Sequence, residues 1–303
     1  DDYPAEALAY RELLELEQSL EDLVACPDLA NKTVIGIGGG FSAGKSRFLN
    51  SLLCVDLLPE SLEPTTAIPS YIVHGAREEI IALNSFRQEA TLDRDALQAI
   101  THAFQKHYQA AFGVEVGFAH VLRLLMIHLP GLWQRLAFLD TPGFSKADRD
   151  NATHSDARIA QCQLAEADHV LWLLSAKNGS IRRDDLEFLR TLNHPKPVFF
   201  VVTQADLVGH SRIQAILDST AQALDDAGIV RAGLMAWAAP LGELNGQHIA
   251  GDDARAWLDT LNSQPKRTQK RLACARVLDS FIAHNSHALA NNLKLLAAMN
   301  ELL

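Results

Sequence analysis

Residues 38–53 read GGGFSAGKSRFLNSLL, and within them Gly39, Gly44, Lys45 and Ser46 stand in the spacing G-x-x-x-x-G-K-S directly after the apolar run Val34-Ile35-Gly36-Ile37. The run reads as a strand and the stretch from Lys45 to Cys54 as a helix, so the glycine-rich segment is the turn between them. Glycines there allow successive backbone N–H groups to turn inward on phosphate oxygens, and the positive end of the following helix faces the same point. Lys45 then reaches the β- and γ-phosphates, and the Ser46 hydroxyl supplies an oxygen to a magnesium ion. The loop residues expected against the ligand are Gly39, Gly40, Phe41, Ser42 and Ala43. Gly44, Lys45, Ser46 and Arg47 continue the contact into the helix.

Two later stretches have chemistry that fits the first. Arg135-Leu136-Ala137-Phe138-Leu139 reads as a strand that ends in Asp140-Thr141-Pro142-Gly143. A carboxylate at that position makes a water-linked contact to the same magnesium, and the Gly143 N–H is free to meet a γ-phosphate. Pro197 to Val202 is continuously apolar, as a buried parallel strand should be, and opens into Thr203-Gln204-Ala205-Asp206. The Asp206 carboxylate is suited to accept from N1 and N2 of guanine, donors that adenine lacks. A backbone N–H near Ala238, at the end of the strand after 229, is expected to meet the guanine oxygen, whereas Trp237 reads first as a core aromatic.

These motifs need a scaffold that aligns several strand ends. Short apolar runs at 33–38, 70–74, 79–83, 121–128, 134–139, 169–175, 197–203 and 233–237 read as strands, with helices expected at 45–54, 93–111, 152–166, 182–192, 211–227 and 252–262. Alternation of this kind specifies an α/β fold, three layers α/β/α about a mostly parallel sheet. The domain is expected at 29–264, with an insertion at about 70–132. Outside it, Leu13, Leu16, Leu20 and Leu23 make one stripe of a helix within 1–28. Leu278, Phe281, Ile282, Leu289, Leu293 and Leu296 make another within 265–303, as one long helix or two. The two ends are expected to pack as a helical bundle.

Composition narrows the partners. A formal charge of −10 over 303 residues disfavours duplex nucleic acid and simple adhesion to anionic lipid. No apolar run approaches the roughly 18–20 residues of a membrane span, so any membrane contact is expected through regions outside this sequence. Cys26, Cys54, Cys162 and Cys274 have no metal-ligand spacing and read as buried, reduced thiols of a cytoplasmic protein. His284 and His287 lack a third ligand. Glu243, Asp252 and Asp253 read as solvated surface.

GGFSAGKS, DTPG and TQAD in this order resemble the guanine-nucleotide motifs of translation-factor-type GTPases. Leu62-Glu63-Pro64-Thr65-Thr66-Ala67-Ile68-Pro69, with the long segment after it, is similar to the dynamin superfamily, especially bacterial dynamin-like proteins. The resemblance covers about residues 30–245 and implies a P-loop GTPase that takes GTP, GDP and Mg2+ and dimerises across its nucleotide face. The terminal helices then correspond to the bundle or neck of such proteins. Thr66, favoured over Thr65 by the spacing to Pro69, is implied as the switch threonine on magnesium and γ-phosphate. Ser42 is implied to help hold an activating K+ or Na+. Two positions depart from better-known members: Phe41 replaces a water-orienting glutamine, and Gln204 replaces a lysine that lies over the guanine ring. The resemblance implies an assembly-coupled enzyme that moves its helical bundle, with membrane remodelling as the expected output. An Era-type switch that recruits an effector is the second reading, and a chain that binds without turnover the third.

Overall fold

The computed structural model describes residues 27–40, 42–58, 69–84, 88–97, 122–141, 156–265 and 269–301, together with Ala7, Tyr10, Leu13 and Leu14. The apolar run after Lys32 forms β1 (Thr33–Gly39). It is followed in chain order by β2 (Ser70–His74), β3 (Glu79–Asn84), β4 (Glu89–Leu92), β5 (Leu122–Leu129) and β6 (Leu136–Asp140). Then come β7 (His169–Ser175), β8 (Val198–Thr203), β9 (Arg231–Ala238) and β10 (Gln247–Gly251). All ten join one sheet in the order β10-β9-β8-β7-β1-β6-β2-β5-β3-β4. The run from β9 to β6 is parallel throughout. β2 turns antiparallel to β6 and parallel to β5, and β3, β4 and β10 complete the sheet antiparallel.

Helices cover both faces because the central strands are apolar on both. Leu171 and Leu173 of β7 face the layer holding α1 (Lys45–Leu53) and, later in the chain, a helix at Ala254–Ser263. Val170, Trp172 and Leu174 face α2 (Asp156–Glu166), α3 (Arg183–Leu192) and α4 (His210–Asp226). The Ala254–Ser263 helix, α5, starts under an Asp253 cap that accepts from the Arg255 N–H. The expected three layers are therefore present, and Trp237 is a core aromatic, 1% exposed.

Three details differ from the sequence reading: the strands β4 and β10, the start of β6, and the exposure of Cys54 and Cys162. β4 and β10 carry no apolar alternation and were not foreseen. β6 starts at Leu136, two residues late, because 133–135 are held by α5: Trp133 Nε1 donates to Asp259 and the Arg135 N–H to Asn262. The segment at 70–132 contributes β2 to β5 to the main sheet, with Ser70 opposite Asp140. Cys54 and Cys162 are exposed, not buried. Cys54 ends α1 with a left-handed φ of 58°, which turns its side chain off the apolar face, and Cys162 lies across α2 from the buried Ala160 and Leu164. Asp252 and Asp253 are exposed as expected, yet Asp252 also accepts from the Leu234 N–H. Of the helix expected at 93–111, Asp93 caps residues 94–97 through the Ala96 N–H, and 98–111 lie outside the described residues.

The chain divides into two compact units, residues 32–265 and the terminal segments 1–31 with 266–303. In the terminal unit, α6 (Gln269–Glu301) is one uninterrupted helix. Its Leu278, Ile282, Leu289, Leu293 and Leu296 are 45% to 61% exposed. The amino-terminal leucines 16, 20 and 23 lie outside the described residues. Among the described residues no helix is long and apolar enough to cross a membrane.

Candidate functional site

Parallel strands deliver their carboxyl ends to one edge of a sheet, which is where ligands bind in open α/β folds. Here β1 ends at Gly39, β6 at Asp140, β7 at Ser175, β8 at Thr203 and β9 at Ala238. The register sets Ile37 beside Asp140, Gly39 beside Leu173 and Ser175 beside Thr203, so every motif read from the sequence and lying among the described residues opens on this edge.

The glycine-rich loop leaves β1 through Gly39, whose φ of 144° brings it against the next strand; a Cβ there would lie 2.5 Å from the Leu173 carbonyl oxygen. The Ala43 N–H closes a turn on the Gly40 carbonyl at 3.1 Å. Gly44, at φ 73°, starts α1 and has no side chain to cap that end, the end at which backbone N–H groups of a helix meet anions. Lys45 folds back on the loop, Nζ 3.3 Å from the Gly39 oxygen and 3.5 Å from the Gly40 oxygen. Burial pushes its ammonium below the usual lysine range, and the charge of Asp140 opposes that shift.

Asp140 is 6% exposed, and its Oδ1 has no hydrogen-bond partner among the described residues. Burial pushes its carboxyl up to about 6, against the pull of Lys45. A buried carboxylate oxygen without a partner is costly, and a hard dication held through oxygen ligands relieves that cost. The Ser46 hydroxyl lies in the first turn of α1, and with the Asp140 carboxyl it offers oxygen of the kind that magnesium takes. Thr141 locks the end of β6 by donating from Oγ1 to the Ile37 carbonyl at 2.7 Å. Phe41, Thr65, Thr66 and Gly143 lie outside the described residues. The segment with Thr65 and Thr66 is anchored just before it begins: buried Asn50 of α1 donates from Nδ2 to the Leu58 carbonyl at 2.8 Å and accepts from the Leu58 N–H at 3.0 Å.

Thr203 and Gln204 tie the loop to the neighbouring strands. The Thr203 hydroxyl lies 2.7 Å from the Ala43 carbonyl and 3.0 Å from that of Leu174. The Gln204 amide is used at both ends, accepting from the Ser175 hydroxyl at 2.5 Å and donating to the Ser42 carbonyl at 3.5 Å. Beyond them opens a pocket of about 380 Å³, with Asp206, Gln204 and Thr203 on one side and Gly44 and Arg47 on another. Phe48, Lys177, Leu207, Trp237, Ala239 and Leu241 complete its lining. Arg47 donates from Nε to the Ala239 carbonyl at 2.7 Å, and the Ala239 N–H donates to the Asp206 carboxylate at 3.3 Å. Trp237 and Ala239, on either side of Ala238, both line the pocket at this end of β9. Ala239 lies in the stretch Ala236-Trp237-Ala238-Ala239 where a contact was expected, whereas Lys177 was missed from sequence because it carries no motif at all.

The family model described as the Dynamin family matches residues 35–206. A protein of Caldicellulosiruptor sp. (strain Rt8B.4), described as an uncharacterized protein in the xynA 3'region, is 21% identical over 190 residues, 62% of this chain and 44% of that protein. GTPase Era of Aquifex aeolicus (strain VF5) is 34% identical over 82 residues, 26% of this chain and 27% of Era. Among solved structures, an oligomerised bacterial dynamin pair described as a mechanism for the long-range sensing and tethering of membranes superposes at a TM-score of 0.54 and 16% identity. That superposition covers 98% of this chain and 46% of the other. The chain spans less than half the length of each.

Proposed function

The chain belongs to the dynamin family, a family of GTPases, and from that premise we propose that residues 32–265 bind GTP with Mg2+ and hydrolyse it to GDP and phosphate. One observation carries the reading: a desolvated Lys45 curled onto loop carbonyls beside a buried carboxyl, Asp140, whose Oδ1 has no partner among the described residues. On a triphosphate, Lys45 exchanges those carbonyls for phosphate oxygens, which hold the ammonium charged. Ser46 by its hydroxyl and Asp140 through a water would hold the magnesium, which when bound supplies positive charge against the phosphate oxygens. Thr66 carries the switch role that the family resemblance implies, and Gly143 offers its backbone N–H to the γ-phosphate. Ser42 is the position for an activating K+ or Na+ that offsets charge developing in the transition state. Asp206 selects guanine by accepting from N1 and N2.

The reading extends to nucleotide-dependent dimerisation across this edge and to movement of a helical bundle formed by the terminal segments, with the chain at the inner face of a membrane. The bacterial dynamin pair, described as sensing and tethering membranes, supports that extension. The 34% identity to GTPase Era over 82 residues favours a second reading, a regulatory switch that recruits an effector.

Titration calorimetry of GTP and ATP with Mg2+, on the wild type and on Lys45→Ala, tests the site. GTP is expected to bind at least about a hundredfold more tightly than ATP, since a polar edge built for one base rejects its mismatch strongly. Lys45→Ala is expected to lose binding. Equal affinity for ATP, or a Lys45→Ala protein with wild-type GTP affinity, would overturn the assignment.

A further inference from the structure

The pocket beyond the glycine-rich loop holds one carboxylate, Asp206, and two cations, Arg47 and Lys177. Arg47 is engaged, since its Nε donates to the Ala239 carbonyl at 2.7 Å. Gln204, the neutral residue where a cation over the base was expected, has both ends of its amide engaged by Ser175 and Ser42. Lys177 alone of the charged lining has neither a hydrogen bond nor an ion pair to any described residue. Its side chain is exposed and lines the pocket from the 3-10 turn at Ala176–Asn178, which packs beside the 3-10 turn at Ala205–Leu207.

Strand order decides which part of a base each wall meets. Asp206 follows β8 and Ala239 follows β9, so the groups that read the hydrogen-bonding edge sit together at those two ends. Lys177 follows β7, on the other side of β8 from β9. A purine whose edge is turned to Asp206 and Ala239 therefore leaves its ring face, not its edge, for the lysine. Resting on the proposed guanine-nucleotide function, we propose that Lys177 lays its stem and ammonium over the guanine ring as a cation–π contact, a role carried here from the turn after β7 because Gln204 is committed to bracing the phosphate loop. The ring face is the negative part of the aromatic quadrupole, so an ammonium there strengthens affinity for the purine without reading its donors.

Calorimetric titration of GDP and 7-deaza-GDP with Mg2+ tests this on the wild type, Lys177→Ala and Lys177→Arg. Lys177→Ala is expected to weaken GDP by about three- to thirtyfold, the range of a partly desolvated cation–π contact. The same factor is expected with 7-deaza-GDP, and Lys177→Arg retains most of the affinity. As Lys177 is exposed, the melting temperature without nucleotide stays unchanged. Affinity of Lys177→Ala within twofold of wild type overturns the proposal. So does a loss that disappears with 7-deaza-GDP, which would mean the lysine reads N7 on the edge. A wild type that binds no guanine nucleotide sinks the underlying function itself, an outcome distinct from either.

Discussion

At the scale of single residues, Asp140 decides the pH behaviour. Burial pushes its carboxyl up to about 6, so without metal the folded chain keeps the proton to a higher pH than the unfolded chain does. The sign follows from linkage: the stabilising contribution is complete below the unfolded value of about 3.9 and is lost as pH rises through about 6. Metal reverses the preference, because a magnesium contact needs the carboxylate. Mg2+-dependent nucleotide affinity is therefore expected to weaken below pH 6 by up to about tenfold per pH unit, and Asp140→Asn to flatten that dependence. Nucleotide titrations at pH 5 to 8 with and without Mg2+ check it. Lys45, Ser46 and Asp206 were legible from sequence because each lies in a short motif flanked by its own strand and helix. Lys177 was not, since its place in the pocket depends on β7 lying next to β8, a neighbour relation between strands that no local pattern encodes.

At the scale of elements, α1 does more than present its amino end to phosphate. Asn50 on its buried side fixes residues 57–58 by hydrogen bonds to Leu57 and Leu58, immediately before the segment with Thr65 and Thr66. Asn50→Ala leaves those backbone groups unsatisfied in a buried place, at a cost of roughly 2–3 kcal/mol. The melting temperature of the protein is expected to fall by about 4–12 °C, measured by scanning calorimetry. An Asn50→Leu substitution is expected to fall as well, since restoring volume does not replace the lost polar partners. The eight predicted strands were legible because they are apolar on one or both faces. β4 was not: Glu89, Ala90 and Thr91 are exposed at the sheet edge, so the segment had no buried face to write a period into the sequence. β10 is hidden for the same reason, and a bulge between His248 and Ala250 breaks its register with β9.

At the scale of the whole molecule, the two readings of function separate by how turnover depends on concentration. An assembly-coupled GTPase accelerates as protein concentration rises, and an Era-type switch stays flat; steady-state GTP turnover in potassium, sodium and lithium buffers measures both that slope and the cation requirement. The layered sheet was legible from the alternation of apolar runs and helical stretches. The exposure of Leu289 and Leu293 was not, because an amphipathic period states that a face is apolar without stating what meets it.

In the proposed base pocket, the bond from the Ala239 N–H to Asp206 is an internal rival to an incoming guanine. Guanine brings a donor for the carboxylate and an acceptor for the amide, so it replaces that bond with matched ones. Adenine presents the opposite polarity at both points and would have to part the pair while satisfying neither. On that proposal, rejection of the wrong base begins in the resting protein, before any nucleotide arrives.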